Sequence, residues 1–209
     1  MLPKVYPKWE LVYYYFRQWS SDGLLSKIHD YLLKAVRVSR GRELSPSLGL
    51  IDSQTVKTHS KTKEKWYDAN KKINGRKRHI VTDTQGLILS IFIHEANIQD
   101  REGAKDVLKL LKYKYPRLQK ILADQGYTGD ELANWVKEKC GWDLEVVKKL
   151  KGESSFQVLP KRWIVERTFG WVSFQGRLLR DYETLIEVEI GMVHIAMIKI
   201  ISKKIKYKI

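Results

Sequence analysis

Three acidic side chains would do chemistry together if the fold brought them to one place: Asp52, Asp124 and Glu166. Asp52 closes the apolar run Leu48-Gly49-Leu50-Ile51, and polar residues follow it. Asp124 closes Ile121-Leu122-Ala123, directly before a Gln125-Gly126 turn, and Glu166 lies inside a helical stretch. Carboxylates are hard oxygen ligands, suited to Mg²⁺ or Mn²⁺. Two such ions held about 3.5–4 Å apart activate an attacking oxygen and stabilise a leaving oxygen in phosphoryl transfer. Each residue alone has a plainer reading. An Asp at the end of a strand bonds the next turn, and Glu166 pairs with Arg162 one helical turn earlier. The constellation, not any one member, points to a metal site.

The elements that must position these residues can be read from periodicity. LGLIDSQTV and QKILADQGY are short apolar runs suited to buried strands. If they are parallel neighbours, both Asp side chains emerge at the same edge. A helix from Lys161 onward then crosses that edge with Glu166. HIVTDTQGLILSIFIHEA gives two strands around Thr84-Gln85-Gly86, and DLEVVKK a fifth strand. Asp100 is placed to cap a helix over residues 101–113, and Thr128 with Glu131 has capping-box spacing for a helix to Lys139. Residues 57–77 read as irregular. The expected fold class is α/β, a mixed five-stranded sheet flanked by helices. Ahead of it, Trp9, Val12, Tyr13, Phe16 and Trp19 recur at helical spacing, a turn falls at Ser20–Gly23, and a second helix follows to Val36. Tyr14 and Tyr15 give the first helix apolar surface on further sides, so it needs partners on more than one face.

Lys and Arg outnumber Asp and Glu by 39 to 24, a formal net charge of +15. Such an excess favours a polyanionic partner, since each phosphate neutralised releases counterions. Two groups stand out. Lys71, Lys72, Arg76, Lys77 and Arg78 precede a strand and suit a loop beside a duplex backbone. Arg162, Arg167 and Arg177 accompany Glu166, with Arg162 and Arg177 on its helical face if the helix runs that far. The plain alternatives are a solvated surface and ordinary ion pairing. Trp66, Trp135 and Trp142 read as packing residues, and His79 as structural. Cys140 is the only cysteine, which rules out an intrachain disulfide and a four-cysteine zinc site. No run of 18 apolar residues is present, so no membrane span is expected.

GLIDSQTVKT, NGRKRHIVTDTQGLIL, HEANIQDREGA, LADQGYTGDEL and RWIVERTFGW, in this order, resemble the successive blocks of bacterial insertion-sequence DDE transposases, of the insertion-sequence-five type within the insertion-sequence-four superfamily. The resemblance runs from about residue 6 to residue 182. It implies a ribonuclease-H-like fold, Asp52, Asp124 and Glu166 as the DDE triad, and Mg²⁺ or Mn²⁺, two ions, as cofactors. It implies cleavage at transposon ends and strand transfer into target DNA. The implied partners are double-stranded DNA and a second copy of the chain on that DNA, in the cytoplasm at the nucleoid. Residues 1–47 then form part of an N-terminal helical region, 48–182 the catalytic domain and 183–209 a C-terminal helix. Relatives carry a longer region before this start, so a truncated or alternatively started reading frame is expected. Phe174 and Gly176 stand where relatives are basic, and Trp66 and Asn70 where they are small. An inactive DNA-binding remnant and a nuclease without strand transfer are the alternatives.

Overall fold

The computed structural model describes residues 5–59, 66–147 and 161–205. Two helices come first, α1 (Trp9–Ser21) and α2 (Leu24–Ser39). Four strands follow: β1 (Leu48–Lys57), β2 (Trp66–Asp68), β3 (Ile73–Thr82) and β4 (Ile88–Glu95). The chain then alternates: α3 (Asp100–Lys109), β5 (Lys120–Ala123), α4 (Asp130–Cys140), β6 (Asp143–Val146), α5 (Arg162–Ser173) and α6 (Ile186–Ser202).

Among the described residues the strands form one six-stranded sheet. β3 pairs antiparallel with β1 on one side and with β2 and β4 on the other. β1 pairs parallel with β5, and β5 parallel with β6. This is the mixed, helix-flanked sheet expected from the sequence, and its order β4-β3-β1-β5-β6 is ribonuclease-H-like. The sixth strand is the short β2, in a stretch expected to be irregular; Tyr67 and Asp68 pair there with Asn74 and Ile73. Residues 73–77 of that stretch belong to β3, against the expectation; its residues 60–65 lie outside the described residues, as do residues 148–149 of the expected fifth strand.

The core joins both faces of the sheet. Leu50, Ile80, Val81, Ile91, Ile121, Val107, Leu108, Val136, Val165 and Phe169 are all buried. Trp142 is buried and Trp135 packs against the same cluster, as expected of packing residues. The expected caps are not used. Gln99, not Asp100, caps α3, and Asp100 is its first residue. Gly129 caps α4 without a side-chain bond, and Glu131 pairs with Lys105 instead. In both helices the carboxylate finds a cation, a stronger partner than a neutral backbone N–H.

α1 buries none of its residues, and its Trp9, Tyr13, Tyr14, Tyr15 and Trp19 stay exposed. α6 touches α1, α2, β4 and α5. Its His194 ring lies 5.4 Å from that of His29 on α2. Burial, with His29 and Lys114 nearby, pushes His194 down to about 3 from the ordinary 6.5. A histidine whose folded pKa is depressed leaves the unfolded chain holding the extra proton. Stability is therefore full above about 6.5 and falls as pH drops toward 3. Urea unfolding at pH 7 and pH 5 checks this: His194→Gln should lose less stability between the two than the parent does.

Candidate active site

β1 and β5 deliver the two aspartates. Leu50 is the register partner of Leu122 on the parallel neighbour. Two residues further on each chain come Asp52 and Asp124, which period 2 places on the same face; Asp124 stands just past the end of β5, whereas Asp52, expected to close its strand, lies inside β1, whose pairing with β3 carries it on to Lys57. Asp52 is half-buried. One oxygen accepts the Ser53 backbone N–H at 2.7 Å. Burial and the charge of Asp124 drive its carboxyl up to about 7 from the ordinary 3.8, against the pull of Ser53, Arg162 and Lys71. Asp124 begins a single 3₁₀ turn, Gln125–Tyr127, and accepts the Gly126 N–H at 2.9 Å.

α5 crosses this edge. Its apolar residues Ile164, Val165, Phe169 and Val172 dock inward, and Thr168 bonds the Gly86 carbonyl at 3.0 Å. Arg162, in its first turn, lies 3.5 Å from Asp124 and 3.0 Å from Glu166. The guanidinium thus stands between the second and third acids, while Glu166 is exposed. Among the described residues no three His, Cys, Asp or Glu side chains are gathered tightly enough to enclose an ion as they stand. The donor set nonetheless suits one. Asp52 and Asp124 are paired hard-oxygen groups whose mutual repulsion a divalent cation would relieve, while Glu166 is paired with Arg162, which also faces Asp124.

The basic residues divide. Lys71 and Lys72 are exposed in the turn between β2 and β3, and the Lys71 charge is felt at Asp52. The reading of Arg76, Lys77 and Arg78 as loop residues facing a duplex is corrected: all three lie inside β3 and are buried. Alternation sends Arg76 and Arg78 to the α6 face and Lys77 to the α3 face. Arg76 binds Asp181 and the Glu183 and Thr184 carbonyls; Arg78 binds Glu189 at 2.7 Å and the Leu178 carbonyl at 2.7 Å. Lys77 binds Asp100 at 2.9 Å and the Ile98 carbonyl at 2.7 Å. A buried charge is tolerated only when so paired, which leaves these three no freedom to reach DNA.

α5 also stops short of Arg177, which lies on a 3₁₀ turn, Gly176–Leu179, and forks onto Glu183. Arg167 is sandwiched between Trp163 and Trp171, 4.6 and 4.4 Å from their ring centres, and donates to the Gln85 carbonyl.

Behind the acid pair runs a neutral relay that sequence reasoning assigned only in part. The Glu95 carbonyl accepts from His94 Nδ1 at 2.7 Å, so His94 Nε2 accepts from His79 Nδ1 at 2.8 Å. His79 Nε2 in turn accepts from the Tyr127 hydroxyl at 2.8 Å. One tautomer of each ring satisfies the whole chain. Burial pushes His79 down to about 3 and lowers His94, favouring the neutral imidazole in both. The relay fixes Tyr127, three residues after Asp124. Gly103 of α3 makes room for it, since a Cβ there would overlap His94 Nε2 and come 2.7 Å from His79. Gly103→Ala should therefore cost stability, by about 1–3 kcal/mol of overpacking against a gain of about 1 kcal/mol in helix propensity. A chemical-unfolding midpoint at or above the parent's would show that the pair yields freely.

Residues 43–200 match the family model of the transposase DDE domain. The chain belongs to the DDE transposase family. A curated relative, the putative transposase for insertion sequence element IS402 of Burkholderia cepacia, is 26% identical over 122 residues, covering 54% of this chain and 56% of that protein. The match thus spans little more than half the length of that relative. Among solved structures, the catalytic core domain of BIV integrase superposes with a TM-score of 0.42 at 13% identity, over 70% of this chain and 81% of that one. The catalytic domain of Mos1 mariner transposase gives 0.41 at 10% identity, over 99% of each. Among the described residues of this DDE transposase, no helix is long and apolar enough to cross a membrane.

Proposed function

We propose that this chain is the catalytic part of an insertion-sequence transposase, of the insertion-sequence-five type, which cuts DNA at transposon ends and joins the freed 3′-hydroxyl to target DNA. The observation that carries the reading is the pair Asp52 and Asp124, set side by side on adjacent parallel strands at the edge where α5 brings Arg162 and Glu166. Asp52, Asp124 and Glu166 would hold Mg²⁺ or Mn²⁺. When bound, the ions supply activation of the attacking oxygen and charge stabilisation at the leaving oxygen. Arg162, released from Glu166, presents a planar guanidinium to a phosphate. Exposed Lys71 and Lys72 neutralise backbone charge near Asp52, and Arg177, the better exposed member of its pair with Glu183, adds a weaker contact. Joining two ends needs two active sites, so a dimer assembled on DNA follows, working at the nucleoid in the cytoplasm.

A labelled duplex bearing the element's own ends, incubated with Mg²⁺ and an unlabelled plasmid, tests the proposal. The expected product is end label covalently joined to the plasmid. Cleaved ends that are never joined would reduce the protein to a nuclease, and binding without cleavage would reduce it to a DNA-binding remnant.

A further inference from the structure

Beside the carboxylate edge, on the α3 face of the sheet, lies a cleft of about 560 Å³. Its walls come from β2 with its following turn and from the segment joining β4 to α3, and it opens at Gly126. Gly126 marks the border between the cleft and the acid pair. A Cβ at that position would lie 3.0 Å from an Asp124 oxygen and 3.5 Å from an oxygen of Asp100, which lines the cleft. Gly126 therefore has both an Asp124 oxygen and an Asp100 oxygen as close neighbours.

The floor of the cleft is polar and electrically settled. Lys77 is buried, and two of its three donors are committed to Asp100 and to the Ile98 carbonyl. Asp100 also accepts from Ser53, the neighbour of Asp52 on β1. Asp68 is buried and held by the Thr55 hydroxyl at 2.5 Å and by the N–H groups of Asn70 and Lys71. Two carboxylates would repel a phosphate, and an ammonium would repel a metal ion. An uncharged heterocycle rich in donors and acceptors meets neither penalty. Asn70 and Gln99 add amide groups able to meet either kind of edge, and Tyr67, half exposed, offers a ring at the rim. Arg101 places a cation at the mouth.

We propose that this cleft receives one nucleobase of the DNA strand whose phosphate lies at the Asp52–Asp124 edge, with Tyr67 as its stacking partner and the Lys77–Asp100 floor facing its polar edge. The proposal rests on the DNA-cutting reading for its substrate. It adds a site outside the triad that holds the strand in register by gripping a base next to the reacting phosphate. Stacking on an aromatic side chain is tolerant of sequence, so the site would fix position more than it selects a base.

The test is a cycle of DNA and protein changes read by binding, independent of cleavage. Duplex ends of the element, each with a single abasic position stepped through the nucleotides flanking the cut, are titrated by fluorescence anisotropy against the parent, Tyr67→Ala and Tyr67→Phe. At one position, loss of the base should weaken binding to the parent and to Tyr67→Phe about tenfold, and to Tyr67→Ala less than twofold. All other positions should respond alike in the three proteins. Uniform behaviour at every position would overturn the proposal, whether or not the parent cuts DNA. A position-specific coupling in a parent that fails to cut in Mg²⁺ would sustain the pocket and remove the catalytic reading.

Discussion

Replacing Asp52 with asparagine is expected to abolish Mg²⁺-dependent cleavage and, in the absence of metal, to make the protein more stable. Both outcomes come from one feature, a half-buried carboxylate beside Asp124 with a single backbone N–H for support. For cleavage, losing a ligand to the ion removes charge stabilisation worth several kcal/mol, on the order of a thousandfold in rate. Binding to DNA should survive, since Lys71, Lys72 and the rest of the +15 surface are untouched. For stability the sign is opposite. The folded carboxyl, pushed up to about 7, binds its proton more tightly than the unfolded one near 3.8. The penalty of ionising it is absent below about pH 4, grows between 4 and 7, and is complete above 7. Asparagine removes it, a gain of at most about 4 kcal/mol at pH 8 by linkage, reduced by the screening of a half-exposed group, that vanishes near pH 4. Added Mg²⁺ should reverse the order by stabilising the parent alone. Thermal unfolding at the two pH values, with and without Mg²⁺, checks all of this. A variant less stable than the parent in metal-free buffer at pH 8 would mean that the Asp52 carboxylate supports the fold rather than burdening it.

The second large effect lies far from the acids, in the ion pairs that fasten α6 to β3. Glu189→Ala should destabilise the fold by about 3–5 kcal/mol, the usual cost of leaving one partner of a buried pair alone. Arg78 is left with only the Leu178 carbonyl, and Arg76 loses a carboxylate 3.7 Å away. Asp181 does not compensate, because it already serves Arg76 and the Glu183 N–H. Glu189→Gln keeps the shape and one acceptor for Arg78, so it should cost less. Equilibrium urea unfolding gives both values. A loss below about 1 kcal/mol for Glu189→Ala would mean that water or a shifted side chain readily takes over the arginine.

Glu189 also shows where sequence reading stopped. Arg76 and Arg78 sit in a run of five basic residues within eight positions, and a charge run ordinarily reads as solvated surface. Their partners Asp181 and Glu189 lie more than a hundred residues away, and no local pattern announces a pairing at that range. The available signal was the apolar strand beginning at Ile80: extended back through His79 with period 2, it puts Arg76 and Arg78 on the same face as Ile80. Asp100 was misread for a related reason. An Asp before a helical run fits a cap, and only the fold brings Ser53 and Lys77 to it.

The pairing of Asp52 with Asp124 was legible because each closes an apolar run; that Asp52 lies inside β1 was not, because the polar half of that strand, Ser53 to Lys57, is held by its antiparallel partner β3 and carries no apolar pattern of its own. The order of helices and strands was legible for the same reason, whereas β2, three residues long, carries too little pattern to be seen. α1 rests on α6 and α2 yet leaves Trp9, Tyr13, Tyr14, Tyr15 and Trp19 exposed.

Replacing one oxygen ligand by sulfur asks whether Asp124 helps to hold the ion that cuts DNA. Cleavage of a labelled end duplex is compared for the parent and Asp124→Cys, in Mg²⁺ and in Mn²⁺. Sulfur is a poor ligand for Mg²⁺ and a better one for softer ions. The parent should cut in either metal, and Asp124→Cys should cut almost nothing in Mg²⁺ and recover substantially in Mn²⁺. Equal cutting by parent and variant in Mg²⁺ would contradict that role of Asp124, and would place the reaction, if there is one, away from the Asp52–Asp124 edge.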